Sequence, residues 1–200
     1  ANLIMCGITG FASTRPLLDS ARLSVMRDTL RHRGPDDAGT LVWGDSTERL
    51  AEAPGHVGLA HRRLSIIDLS AAGHQPMSNE DGSVWLSYNG EFYNFQDFRV
   101  ALSEQHQFAS KTDSETIIHL YEEYGIRDTL DRINGMFAFA IWDAPRRTMV
   151  LARDRLGQKP LFYTQLSDGS VLFADYGFGY EAEFANWEQT RIPDTVSEKP

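Results

Sequence analysis

The chain carries a single cysteine, Cys6, within Met5-Cys6-Gly7-Ile8-Thr9-Gly10-Phe11. A thiolate is a strong nucleophile, and a free α-amine beside it, with a pKa of about 7.7–8.0, would supply a base near neutrality. The competing reading is a small buried hydrophobe. Asn89-Gly90-Glu91 follows a strand-like run. A side-chain amide and a glycine N–H could together hold an oxyanion. The same dipeptide is also the commonest hairpin turn. Arg62 and Arg63 stand at the end of another strand-like run. A guanidinium there could grip a carboxylate bidentately, or simply be solvated. Asp113, in Thr112-Asp113-Ser114-Glu115, is either a helix cap or an anchor for a ligand's ammonium group.

Metal and nucleotide chemistry find little support. The six histidines are scattered, with no His-x-x-x-His pair and no second cysteine, so no metal site is expected. There is neither a Gly-x-Gly-x-x-Gly nor a Gly-Lys-Ser/Thr loop. Asp143 and Asp154 each end a strand beside arginines and make a poor acid/base pair. A net charge of −9 disfavours a nucleic-acid backbone or an anionic membrane as partner. A lone cysteine makes no internal disulfide, and Met136–Trp142, seven apolar residues, is far below the ~20 that span a bilayer. A cytoplasmic setting is expected.

The elements that must position these residues follow from periodicity. Cys6–Phe11, 39–43, Val57–Arg63, Val84–Asn89, Met136–Asp143, Thr148–Arg153, Leu161–Gln165 and Val171–Ala174 read as strands. Leu17, Leu18, Ala21, Val25, Met26 and Leu30 recur at helical spacing after Pro16, and the helix should end near Arg31–Asp37. Helices are expected over Phe95–Gln105 and from Thr112 or Asp113 to a stop at Gly125, with a loop over Asp68–Gly82. Hairpins, not helical crossovers, join the late strands, which predicts an α+β fold with antiparallel sheets.

Seven blocks together resemble one family. They are Met5–Ile8, Arg31–Asp36, Arg63–Asp68, Asn89–Asn94, Thr112–Glu115, Gly135–Ala140 and Arg153–Leu161. In this order they are similar to the glutaminase domain of glutamine-hydrolysing asparagine synthetases, a class II glutamine amidotransferase. The resemblance implies an N-terminal-nucleophile hydrolase fold, a four-layer α/β/β/α sandwich of two antiparallel sheets between helices. It implies that Cys6 attacks the glutamine side-chain amide with its own α-amine as base, while Asn89 and Gly90 hold the oxyanion. It further implies that Arg63 takes the α-carboxylate, that Asp113 and Glu91 take the α-ammonium, and that backbone near Leu64 and Ile66 closes the pocket. L-glutamine is the expected partner, with a synthetase domain or subunit accepting ammonia and a homodimer allowed. No cofactor is expected in this domain; ATP and magnesium would belong to the synthetase domain, whose Ser-Gly-Gly-x-Asp-Ser loop does not occur here.

Two departures qualify the resemblance. Five residues precede Cys6, and a peptide nitrogen is not basic, so activity requires Cys6 exposed as the N-terminal residue. The domain is expected over 5–174, followed by a divergent tail over 175–200 that opens Asp175-Tyr176 where the family reads Ser-Glu. A silent binding or structural module of the same fold competes with the enzyme, as does an ammonia donor to a different amide-forming synthetase.

Overall fold

The computed structural model describes residues 5–45, 48–66 and 68–176, together with the backbone of 190–191 and 197–199. Two antiparallel sheets form its centre. The first contains β1 (Gly7–Ala12), β2 (Asp37–Trp43), β3 (Val57–Arg63), β8 (Phe162–Gln165), β9 (Val171–Ala174) and β10 (Thr190–Arg191), in the order β10-β8-β9-β1-β3-β2. The second contains β4 (Met77–Ser78), β5 (Val84–Phe92), β6 (Gly135–Asp143), β7 (Thr148–Arg153) and β11 (Ser197–Lys199), in the order β11-β7-β6-β5-β4.

Alternation along the strands explains the layering. One face of β6, Ala138, Ala140 and Trp142, packs with Ile8, Val57, Leu59 and Phe173 of the first sheet. The other face, Phe137, Phe139 and Ile141, packs under α3 (Asp113–Arg132) with Ile117, Ile118, Leu120 and Tyr121. Phe98 and Leu102 of α2 (Phe95–Leu102) join that cluster. On the far side, Leu23 and Met26 of α1 (Ser20–Asp28) cover Phe11, Val42, Ala60 and Leu172. The order is therefore helix, sheet, sheet, helices: the antiparallel α+β fold that the strand pattern predicts, in the four layers that the resemblance implies. Each fully buried Leu, Ile or Phe contributes roughly 1.5–3 kcal/mol of transfer free energy.

Strand ends shift by one or two residues and α2 stops at Leu102, short of Gln105; four differences are larger or change an element's meaning. Helix α1 starts at Ser20, not Pro16, because Asp19 caps it by accepting the Arg22 N–H at 2.8 Å, while Leu17 N–H is spent on Gly55 O. Gly125 does not stop α3. With φ 71° it kinks the helix, which resumes and runs to Arg132. The 68–82 loop holds a 3₁₀ turn, Ala71–Gly73, and the short strand β4. Strand β5 extends through Phe92, so Asn89-Gly90 lies inside a strand and is no turn. Among the described residues no helix is long and apolar enough to cross a membrane.

Candidate active site

Cys6 sits immediately before β1. Its Sγ accepts the Leu64 N–H at 3.3 Å and lies 3.6 Å from the Leu64 carbonyl, where the thiol proton can be donated. The backbone of Leu64 therefore aims the thiol. Burial pushes the Cys6 thiol up; the Leu64 hydrogen bond opposes that, the Asp175 charge adds to it, and Arg63 and Lys159 pull it down. The thiol is thus kept protonated until a base takes its proton.

Strand β5 supplies the second component. A strand residue's N–H and C=O point to the same side, and successive residues alternate sides. Tyr88 N–H donates to Gln75 Oε1 at 2.7 Å, and Tyr88 O accepts from His61 Nε2 at 2.9 Å. Burial lowers the His61 pKa to about 4, so this imidazole is neutral and Nε2 carries its proton. Phe92 N–H donates to Asp113 Oδ2 at 2.9 Å. Tyr88 and Phe92 therefore face away from β6, and Gly90, between them, presents its N–H to the same edge. The partner strand agrees: opposite Gly90, Phe137 spends its N–H and C=O on Asp154. The position must be glycine, since a Cβ there would lie 2.4 Å from Met136 O.

Asn89 is buried, and its Nδ2 donates to Asp175 Oδ2 at 2.6 Å. Asp175 is completely buried. Its Oδ1 accepts the Ile8 N–H at 3.0 Å, and Arg33 Nη1 donates to its carbonyl at 2.9 Å while lying 3.5 Å from Oδ1. Burial raises its carboxyl to about 6, against the pull of Arg33. One amide proton of Asn89 is thereby fixed, and the rotamer with it. The second amide proton is not used by that bond and remains available as a donor. Asp175 is the residue that sequence reasoning missed; it appeared only as a departure from the family pattern.

The remaining predicted residues fall as follows. Arg63 is buried and donates to the carbonyls of Ser70, at 3.0 Å, and Asp68, so part of its fork orders the 68–70 loop. Asp113 is the first residue of α3, not its cap; Thr112 caps the helix, accepting the Glu115 N–H at 3.4 Å. Asp113 Oδ2 also accepts from Tyr88 Oη at 3.0 Å, and burial raises its carboxyl above the usual carboxylate range. Glu91 is half-buried on β5. Ile66 is exposed, on the loop after β3. Lys159, lowered by burial, has its Nζ 2.8 Å from Met5 Sδ. Met5 N–H donates to the Arg33 backbone carbonyl at 3.1 Å, so the residue ahead of the thiol is docked between that carbonyl and the Lys159 ammonium. Asp143 and Asp154 hold neighbouring groups in separate places. Asp143 binds Tyr121 and Arg146, and Asp154 collects the N–H groups of Phe137, Leu156, Gln158 and Lys159. The described residues with metal-ligand chemistry in one place are Glu80, His106, His119 and Glu122, outside this site. Two of the six histidines, His106 and His119, thus meet in the fold.

Comparison with known proteins agrees with this geometry. The model of a glutamine amidotransferase domain matches residues 5–177. The chain is 41% identical over 174 residues to asparagine synthetase [glutamine-hydrolyzing] 3 of Bacillus subtilis, covering 84% of this chain and 26% of that protein. It is 35% identical over 195 residues to amidase chry2 of Gibberella zeae, covering 90% of this chain and 28% of that protein. The chain thus spans about a quarter of the length of the curated relatives it matches. Among solved structures, glutamine phosphoribosylpyrophosphate amidotransferase of B. subtilis superposes with a TM-score of 0.68 at 21% identity, over 85% of this chain and 42% of that one. A glutamine aminotransferase class-II domain protein from Silicibacter pomeroyi gives 0.57 at 13% identity, over 97% of this chain and 98% of that one. A thiol aimed by backbone, a glycine N–H at an open strand edge and a family match over most of the sequence converge: this chain belongs to the glutamine amidotransferase domain family.

Proposed function

We propose that this domain hydrolyses the side-chain amide of L-glutamine, giving glutamate and ammonia, and that the ammonia serves an amidation of the asparagine synthetase type. The observation that carries the reading is that Asp175 ties the Asn89 amide to Ile8, two residues from Cys6, whose Sγ is held by the Leu64 N–H.

The chemistry follows from those groups. A free Cys6 α-amine takes the thiol proton, and Sγ adds to the amide carbon. Negative charge develops on the amide oxygen, where Gly90 N–H and the second Asn89 amide proton stabilise it. The α-ammonium returns its proton to the leaving nitrogen, the C–N bond breaks and ammonia departs. A thioester remains on Sγ. Water, deprotonated by the same amine, adds to that carbonyl; the C–S bond breaks and glutamate leaves with the thiol restored. Arg63 offers its remaining guanidinium donors to the substrate α-carboxylate. Asp113, assisted by Glu91, faces the α-ammonium. A buried carboxylate with a raised pKa gains most from such a cation, because the ligand supplies the charge that burial withholds.

The test is glutamate release by the chain trimmed to begin at Cys6. Cys6→Ala should abolish turnover with the far-ultraviolet circular dichroism unchanged. Unchanged turnover in that variant would refute the assignment of the nucleophile.

A further inference from the structure

Away from Cys6, four side chains from three segments meet. Glu80 comes from the turn between β4 and β5, His106 from the loop after α2, and His119 and Glu122 from one turn of α3. One ligand-capable atom from each lies within 4.8 Å of all the others. His119 Nδ1 is 3.0 Å from Glu122 Oε2 and 4.0 Å from Glu80 Oε2. His106 Nδ1 is 3.7 Å from Glu122 Oε2 and 3.5 Å from Glu80 Oε1.

Three features distinguish this set from ordinary surface ion pairs. First, the chain holds three of the four ligands from outside, while the buried Nε2 of His119 has no hydrogen-bond partner among the described residues. His106 Nε2 lies 3.1 Å from Glu123 Oε1, so it donates its proton there and turns the Nδ1 lone pair inward. Asn79 Nδ2 donates to Glu122 Oε1 at 2.6 Å, leaving Oε2 for the cluster, and Gln107 N–H orients Glu80 at 2.7 Å. Orienting partners of this kind are what metal-bound imidazoles and carboxylates need. Second, the charge does not balance. Glu80, Glu122 and Glu123 surround two imidazoles stacked at 4.3 Å and 25°, a spacing at which two imidazolium charges repel. The one cation over the neighbouring Phe108 ring, Arg99, lies beyond that ring and makes its contacts with Ser110 and Thr112. His106 also meets carboxylates at both ring nitrogens, whereas a neutral imidazole has a single N–H. Third, His119 is fully buried while Glu80 is 35% exposed, so the cluster has an inner wall and an open side for an ion to enter.

We propose that Glu80, His106, His119 and Glu122 form a binding site for a divalent transition-metal ion, of the zinc class, with two nitrogen and two oxygen ligands. Zinc takes nitrogen and oxygen at roughly 2.0–2.2 Å in a tetrahedron, which sets neighbouring ligand atoms about 3.3–3.5 Å apart. The ligand atoms, now within 4.8 Å of one another, reach that spacing when the side chains close inward by up to about 1 Å. The ion would tie the α2–α3 loop and the β4–β5 turn to α3, the helix that begins with Asp113. Its role is that of a structural clamp, and no step of glutamine hydrolysis passes through it.

The chain, stripped with a chelator and dialysed, is titrated with Zn²⁺ by calorimetry and with Co²⁺ by visible absorption. One ion per chain should bind with micromolar or tighter affinity, Co²⁺ should develop the strong absorption of a tetrahedral site, and Zn²⁺ should raise the thermal midpoint. His106→Phe keeps a ring on His119 but removes the nitrogen, and Glu80→Gln keeps the shape but removes the charge; each should weaken binding tenfold or more. Cys6→Ala should leave it intact. Absence of saturable binding would overturn the proposal. So would binding that survives both cluster variants, or binding that disappears with Cys6→Ala. If His106→Phe does not fold, Glu80→Gln decides.

Discussion

At the residue scale the account turns on Asp175 and Asn89. The carboxylate that accepts the Asn89 amide at 2.6 Å is a positioning group: it touches no reacting atom, but it decides where the second amide proton points. Asp175→Asn would leave one acceptor oxygen for two donors, the Ile8 N–H and the Asn89 amide, so an NH2 would face one of them. Losing an oxyanion donor costs roughly 100- to 1000-fold in kcat. Asp175→Asn should therefore lower kcat by up to that factor with little change in KM, and Asn89→Ala should show the full loss. Steady-state kinetics on the two variants checks this, and a KM effect in place of a kcat effect would contradict it. Asp113 makes the opposite prediction. Because burial raises its carboxyl, protonation removes the ammonium partner at a higher pH than an ordinary carboxylate would. KM for glutamine should rise as pH falls, and Asp113→Asn should raise KM and abolish that pH dependence. A charged hydrogen bond of about 1.5–3 kcal/mol corresponds to roughly a tenfold to 150-fold change.

At the element scale, the site depends on one strand edge and one helix start. Side chains from three other segments hold the β5 edge: Gln75, His61 and Asp113 take the backbone groups of Tyr88 and Phe92 and leave Gly90 between them. Gly90→Ala should fail in two ways at once, by steric overlap with Met136 O and by displacement of the N–H donor. Gly125 is different. Nothing lies within 4 Å of a Cβ built there, yet φ is 71° and ψ 173°, a region essentially confined to glycine, so Gly125→Ala costs backbone strain alone, about 1–3 kcal/mol in thermal unfolding. Periodicity made the strands and the α2 and α3 faces legible, and Thr112–Glu115 marked the start of α3. It could not show that Gly125 kinks the helix without ending it, because Ile126 and Leu130 still reach the core after the kink. Nor could it settle Asn89-Gly90. A strand and a hairpin use the same dipeptide, and only pairing with Ala138 and Phe137, far along the chain, selects the strand. Asp175 reaches Ile8 across 167 residues, and His106 stacks on His119 at a spacing no motif anticipates.

At the scale of the whole molecule, the sandwich places a carboxylate between its sheets, and stability should report it. The Asp175 carboxyl is about 6 when folded against an ordinary 3.8. The folded chain therefore holds this proton more tightly than the unfolded one. The associated stabilisation is full below the ordinary value and is lost as pH rises through about 6. At about 1.4 kcal/mol per pKa unit this is on the order of 3 kcal/mol. Urea unfolding on either side of that window should show the fall, and Asp175→Asn should flatten it.

The four-layer core also sets the N-terminal strand in place with Cys6 at its leading end, where Met5 now occupies the space beside Lys159. The central claim is that Cys6 acts as a nucleophile once its own amine is free. The direct measurement is intact-mass analysis after exposure to a glutamine analogue bearing an electrophilic ketone in place of the side-chain amide. Two forms are compared, one beginning at Cys6 and one retaining Met5. The account predicts one covalent adduct mapped to Cys6 in the first form and slow or absent labelling in the second. A folded chain beginning at Cys6 that takes no adduct, or takes it elsewhere, would contradict it.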